Sequence, residues 1–333
     1  MITTGLLLAV FSGICNGLFS APMRLERRWK WENIWFTFIL MACIVMPAII
    51  VYPAVPNPGR IFAAAPSGAV ISALTFGFAW GFGAICFGLS VDRLGVSIAN
   101  SLIIGLSSAL GSLVPLLISG AFRLDRKQTV LLIGIATFLL GVWLCGQAGR
   151  LRDAGEGTAP RGMPSGYLFA LCSGIMSAVF NIGYTLALPI ASTGVELGHS
   201  LFASTNCIWL LMLGAGSIPN IAYCLFLMFR NRTTHLMRSF DTGWSWMRSI
   251  VMGLLWGGSI FLYGAATPRL GDIGPSIGWP LSLAVGLLVA NLMGVLLGEW
   301  REVSRPAARR MNFGVLTLLI AIVICALATK VGL

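Results

Sequence analysis

Ten apolar runs, each of about 20 residues or more, leave this chain few ways to fold. They lie near residues 3–23, 32–52, 67–91, 95–121, 128–147, 165–190, 199–228, 246–267, 271–298 and 309–331. A helix needs about 20 mostly apolar residues to cross a bilayer. Within the hydrocarbon core it must also satisfy its own backbone polar groups. The runs are therefore read as spanning helices, spans 1 to 10. Composition settles the class: 57% of residues are hydrophobic and only 10% are charged, against about 25% charged in a soluble domain.

The spans are not independent of one another. Gly77, Trp80, Gly81, Gly88, Arg93, Leu94 and Gly95 return 176 positions later as Gly253, Trp256, Gly257, Gly264, Arg269, Leu270 and Gly271. Phe87 returns as the similar Tyr263. A second echo, at an offset of 161, matches Ser12, Gly13, Asn16 and Ser20 to Ser173, Gly174, Ser177 and Asn181. Span 3 thus pairs with span 8 and span 1 with span 6, five spans to each half. Five is odd, so the second half enters the membrane from the opposite side. The expected fold is an all-α membrane protein of two inverted five-helix repeats, 1–147 and 165–333, joined by a polar cytoplasmic linker, 148–164. Apolar spans repeated in two halves are the pattern of secondary transporters, whose site lies between the halves.

Loop charges give the orientation. The net charge is +11, and the basic residues sit in short loops between spans, which speaks against nucleic acid as a partner. Of the 22 Lys and Arg residues, 16 fall on one set of alternate loops and six on the other. The basic side is cytoplasmic, so both termini are expected to be periplasmic. Trp29, Trp31, Trp35, Trp244, Trp246 and Trp300 flank the basic loops and read as interfacial anchors.

Enzyme signals are missing. No P-loop is present, His199 and His235 are not at metal-ligand spacing, and no two carboxylates share a span. The eight cysteines lie inside apolar runs without a CxxC pair and read as small buried hydrophobes. Neither a cofactor, a metal nor an obligate protein partner is indicated; the bilayer itself is the evident partner.

Polar and aromatic stripes are more informative. Ser12, Asn16 and Ser20 share a helix face, as do Ser173, Ser177, Asn181 and Thr185, with Tyr184 beside Asn181. Interhelical hydrogen bonding accounts for the Ser and Thr residues. Asn16 and Asn181, on stripes matched across the halves, are candidates to line a central cavity. Trp80 and Trp256 lie mid-span, each just before the second glycine of a GxxxG. A buried indole N–H needs a partner, and the ring can stack on a sugar's C–H face. Asn206, Trp209, Tyr263 and Trp279 complete an expected set of binding residues with Trp80 and Trp256, although ordinary packing accounts for any one of them singly. No acid is deep in a span. Glu196 and His199, expected on one face at the start of span 7, and Asp272 in the span 8–9 turn are the candidates for carrying a proton.

At this resolution of motif the chain resembles a family. Ser20-Ala21-Pro22-Met23 followed by Trp29-Lys30-Trp31-Glu32-Asn33-Ile34-Trp35 is similar to the first loop of bacterial L-rhamnose–proton symporters. So are Trp80-Gly81 with Phe87-Gly88 and Leu94-Gly95, Ser173 to Ala178, and Glu299-Trp300. The similarity keeps its order from about residue 8 to 330. It implies the drug/metabolite transporter superfamily, whose ten-helix members carry a five-plus-five inverted repeat. It further implies a bacterial inner-membrane symporter taking up a neutral deoxyhexose, L-rhamnose first, with protons. Ala84, Cys86 and Phe87 stand where relatives can carry amides and Tyr, and relatives can carry an acid near His199, which leaves a related sugar open. The small multidrug branch is less similar, since its first-span Glu is missing here. Export of another metabolite and a membrane sugar sensor stay as alternative readings.

Overall fold

The computed structural model describes residues 2–94, 96–118, 125–155, 164–271, 273–296, 298, 300–301 and 303–328. All ten expected spans are helices long and apolar enough to cross a membrane: Ile2–Met23, Trp31–Val51, Ser67–Ser90, Ala99–Ile118, Arg126–Arg152, Pro164–Glu196, Leu201–Arg230, Gly243–Leu270, Gly274–Leu296 and Arg305–Ala328. No strand occurs among the described residues. Two helices outrun their apolar stretch. The fifth continues to Gly155, into the expected linker, and the sixth runs to Glu196. Helical hydrogen bonding can continue past the apolar part wherever no breaker intervenes, which is how polar residues 148–155 become helix.

Breakers act locally. Pro47 has no N–H to offer the Cys43 carbonyl, and the turn before it, Met41–Val45, is a π-helix. A short helix, Pro58–Ala64, follows span 2 and begins with proline at its first position, where the missing donor costs nothing. Span 8 ends in a 3₁₀ turn, Thr267–Leu270, closed by Gly271 at φ 87°.

The chain forms two compact units, each drawing on both sequence halves. Unit 1 comprises residues 1–17, 83–181 and 266–333, and unit 2 comprises 18–82 and 182–265. Spans 1, 3, 6 and 8, the two repeat-related pairs, each contribute to both units, whereas spans 2 and 7 belong to unit 2 and spans 4, 5, 9 and 10 to unit 1.

Small residues set the packing within each unit, as expected where apolar side chains gain little by leaving lipid. In unit 1, span 10 lies along span 5, where Cys325 fills the notch at Gly134 and Cys145 the notch at Gly314. Phe138, Val142, Leu318 and Ala321 form the core between them. These cysteines are packing groups, as their apolar setting suggested. Gly13 and Gly17 of span 1 rest on Val285 and Gly286 of span 9, and Ser12 and Ser282 share a hydroxyl hydrogen bond of 2.8 Å. In unit 2, Gly77 meets the Met212 backbone of span 7 and Gly81 meets Pro219 of the same span. Their repeat partners Gly253 and Gly257 meet Met41 and Met46 of span 2. Each GxxxG thus seats a spanning helix.

Candidate functional site

Two aromatic groups organise unit 2. In the first, Tyr184 of span 6 stacks on Trp209 of span 7 with ring centroids 4.5 Å apart and planes 2° from parallel. Tyr263 of span 8 leans on both, at 5.7 and 6.2 Å. Gly264 gives the indole room, because a Cβ there would collide with Trp209 Nε1. All three rings are at most 1% exposed. One turn before Trp209 lies Asn206, 0% exposed. Neither its Nδ2 nor its Oδ1 has a hydrogen-bond partner among the described residues. An unsatisfied buried polar group costs about 1–3 kcal/mol, so an amide idle at both ends is a marked feature.

In the second group Trp80 and Trp256 stack at 5.2 Å and 12°. Phe38 stands edge-on to Trp256, Trp35 packs on Phe38, and Trp31 stacks on Trp35. Asn220 ties this column to the helices. It accepts the Trp35 indole N–H at 3.1 Å, and its Nδ2 donates to the Gly81 and Gly216 carbonyls at 3.1 and 3.0 Å. Trp35, expected as an interfacial anchor, is instead 7% exposed and part of this column. Trp29 is likewise buried, its Nε1 donating to the Leu236 carbonyl. Their indole N–H groups find internal acceptors, which removes the reason to sit at the headgroups. Trp244, 65% exposed, keeps its expected exposure.

Asn16, Asn181 and Trp279 belong to unit 1. Asn181, fully buried, donates through Nδ2 to the Gly111 carbonyl at 2.7 Å and reaches the Pro275 carbonyl at 3.4 Å. The first bond has a cause in sequence. Pro115 lies inside span 4 and lacks the N–H that would have bonded Gly111, four residues back. Trp279 donates its Nε1 to the Ser107 carbonyl and hydroxyl, at 3.2 and 3.3 Å. Asn16 is half-buried and packs on Gly286. The set expected from sequence is thus divided, six residues in unit 2 and three in unit 1.

The expected proton carriers stand differently from their sequence placement. Glu196 is the last residue of span 6 and exposed, while His199 lies beyond it in the turn. Gly198, at φ 89°, separates them, and the His199 N–H closes the helix end on the Gly194 carbonyl at 3.0 Å. They therefore share no helix face, because the helix ends between them. Asp272 lies outside the described residues.

Two acids that sequence reading passed over are buried. Glu32, in the first turn of span 2, is 5% exposed and accepts hydrogen bonds from Asn231 Nδ2 at 3.0 Å and Thr233 Oγ1 at 2.9 Å. The Glu26 side chain, 1% exposed, accepts from the backbone N–H groups of Arg27, Arg28 and Trp29, from Ser245, and from Arg248 at 3.1 Å. Burial alone would push the Glu26 carboxyl up. The Arg28 and Trp29 amides, Ser245 and Arg248 outweigh it and hold the group below its ordinary value. Glu26 thus ties the link before span 2 to the start of span 8, and Glu32 ties the start of span 2 to the link between spans 7 and 8. The Trp29 to Asn33 string held the only hint, an acid set among tryptophans.

Comparison with known proteins fits this architecture. The family model for the L-rhamnose-proton symport protein (RhaT) matches residues 1–331. Curated relatives named L-rhamnose-proton symporter include proteins of Escherichia coli O1:K1 / APEC and Shigella boydii serotype 18 (strain CDC 3083-94 / BS512). Each is 23% identical over 330 residues, covering 96% of either chain. A crystal structure aligns over 100% of both chains with a TM-score of 0.62 at 12% identity, a likeness of fold.

Proposed function

The chain belongs to the L-rhamnose-proton symport family, and from that premise we propose that it takes up L-rhamnose, or a closely related neutral deoxyhexose, together with protons. It is a multi-pass membrane transporter and not an enzyme. The bacterial inner membrane, periplasmic termini, an inverted repeat and alternating access complete the proposal.

One observation carries the choice of cargo: the idle amide of Asn206 beside the Tyr184–Trp209–Tyr263 cluster. A carboxamide offers both a donor and an acceptor, which is what a sugar hydroxyl needs. The aromatic faces suit the C–H side of a pyranose, and the exposed methyl of a 6-deoxy sugar adds apolar area. Neither Asn206 nor the three rings bears a charge, so the cluster offers a sugar acid or an amine no ion partner. The stacked rings leave no gap at 4.5 Å, so a sugar binds against the cluster or parts the stack.

Tryptophan fluorescence of the purified protein tests this. L-rhamnose should shift the emission saturably, and a charged sugar acid should not. Asn206→Leu, which removes both polar ends at similar volume, should weaken L-rhamnose binding by about tenfold or more while melting no lower than the parent. Unchanged affinity in that variant would remove Asn206 from the site.

A further inference from the structure

On the basic side of unit 2 two acids, Glu26 and Glu32, are turned inward and hydrogen-bonded within the protein. Asp241 is exposed and pairs with exposed Arg28 at 2.5 Å. Arg27, Lys30, Arg230, Arg232 and Arg238 are exposed. Phe240 and Trp244 stand among them, 108% and 65% exposed. This surface is held firm from beneath. Trp29 Nε1 donates to the Leu236 carbonyl, Trp246 Nε1 donates to the Met237 carbonyl, and the two indoles meet edge to face at 5.0 Å.

Arg232 is the informative residue. At φ 55° it is the one non-glycine residue with positive φ among those described. It occupies the left-handed position that follows a helix end, with the Thr233 N–H returning to the Met228 carbonyl at 3.0 Å. Glycine adopts that backbone without strain, and an arginine does not. A strained backbone is kept where the side chain has a use, and Arg232 is exposed, next to buried Thr233.

We propose that this platform docks the headgroups of anionic phospholipids. Guanidinium forks match phosphate oxygens in pairs. Clustered cations at the end of a spanning helix are drawn to an acidic leaflet. Exposed aromatic rings beside them insert at the level of the headgroups, where amphipathic rings are favoured. A soluble phosphate would engage the arginines without needing Phe240 or Trp244. The aromatic pair is what selects a lipid.

Native mass spectrometry of the full chain, purified in detergent with equal phosphatidylglycerol and phosphatidylcholine, reads retained lipid directly. The parent should retain phosphatidylglycerol in preference. Arg232→Gly with Arg238→Gln should reduce that preference by at least about tenfold. Arg232→Gly alone relieves the strained backbone, so its melting temperature should equal or exceed the parent's while its lipid preference falls. Arg230→Gln with Lys30→Gln, which leaves Arg232 and its left-handed backbone in place, should also reduce the preference. Phe240→Ser with Trp244→Ser should weaken retention, and millimolar glycerol 3-phosphate should not displace the lipid. Equal retention of the two lipids by the parent, or an undiminished preference in both cation variants, overturns the proposal. So does displacement by glycerol 3-phosphate, which would make this a soluble phosphate site.

Discussion

Asn181 and Asn206 are both fully buried amides of unit 1 and unit 2 respectively, and they are used in opposite ways. Asn181 donates to a carbonyl that Pro115 leaves without its helical partner. Asn206 has no partner among the described residues. The first is occupied by the fold, and the second is available to a ligand. Asn181→Ala should therefore cost about 1–3 kcal/mol of stability, the price of an orphaned buried carbonyl. Pro115→Ala supplies an N–H to the same carbonyl. In thermal unfolding the double variant should lose much less than the sum of the two singles. Strict additivity would show that the Asn181–Gly111 bond is not what the amide contributes. Sequence alone put both asparagines among the expected binding residues, Asn181 on a matched polar stripe and Asn206 one turn from Trp209, and neither position tells whether an amide is used or idle. That distinction is set by a proline on another helix, 66 positions from Asn181.

Elements were the most legible level, because apolar length decides them: all ten expected spans are present as helices. Their ends were less so. Residues 148–155 continue span 5, and Gly198 stops span 6 before His199, a local turn chemistry that hydropathy does not sense. The GxxxG pairs announced close packing, but not that Gly77 and Gly81 would meet span 7 while Gly253 and Gly257 meet span 2. The clasp was scarcely legible, since its partners Ser245, Arg248, Asn231 and Thr233 lie about 200 positions from Glu26 and Glu32 and meet them only in the fold. Its pH dependence follows from Glu26. A carboxyl held below its ordinary value when folded stabilises the clasp above about pH 4.3, the unfolded value. That contribution is lost as pH falls through the lower folded value. Protection of the amides at residues 26–29, taken relative to their intrinsic exchange rate at each pH, should thus stay high near neutrality and fall only in strong acid. Glu26→Gln should have low protection throughout the range. A clasp that loosened between pH 6 and 8 would contradict the assignment.

For the whole molecule, the family was legible over nearly the entire chain, and the matched residues 1–331 place it among the symporters. The compact units were not legible as such. The halves 1–147 and 165–333 were expected from the sequence echo, whereas the units form where helices pack, with spans 1, 3, 6 and 8 shared between them. Coupling to protons is a property at this scale. We propose that Glu196, His199 or Asp272, at the junctions of spans 6 with 7 and 8 with 9, carries it. Glu196→Gln with His199→Gln should abolish gradient-driven sugar accumulation and leave equilibrium exchange intact. Undiminished accumulation would move the role to Asp272.

Uptake into proteoliposomes tests the central claim most directly. Labelled L-rhamnose should accumulate above its external concentration when an inward proton gradient is imposed, and collapse to equilibration when a protonophore is added. Unlabelled L-rhamnose should compete, and sugar acids should not. Accumulation that ignores the proton gradient, or the absence of any L-rhamnose uptake by protein that is folded and inserted, would contradict the account.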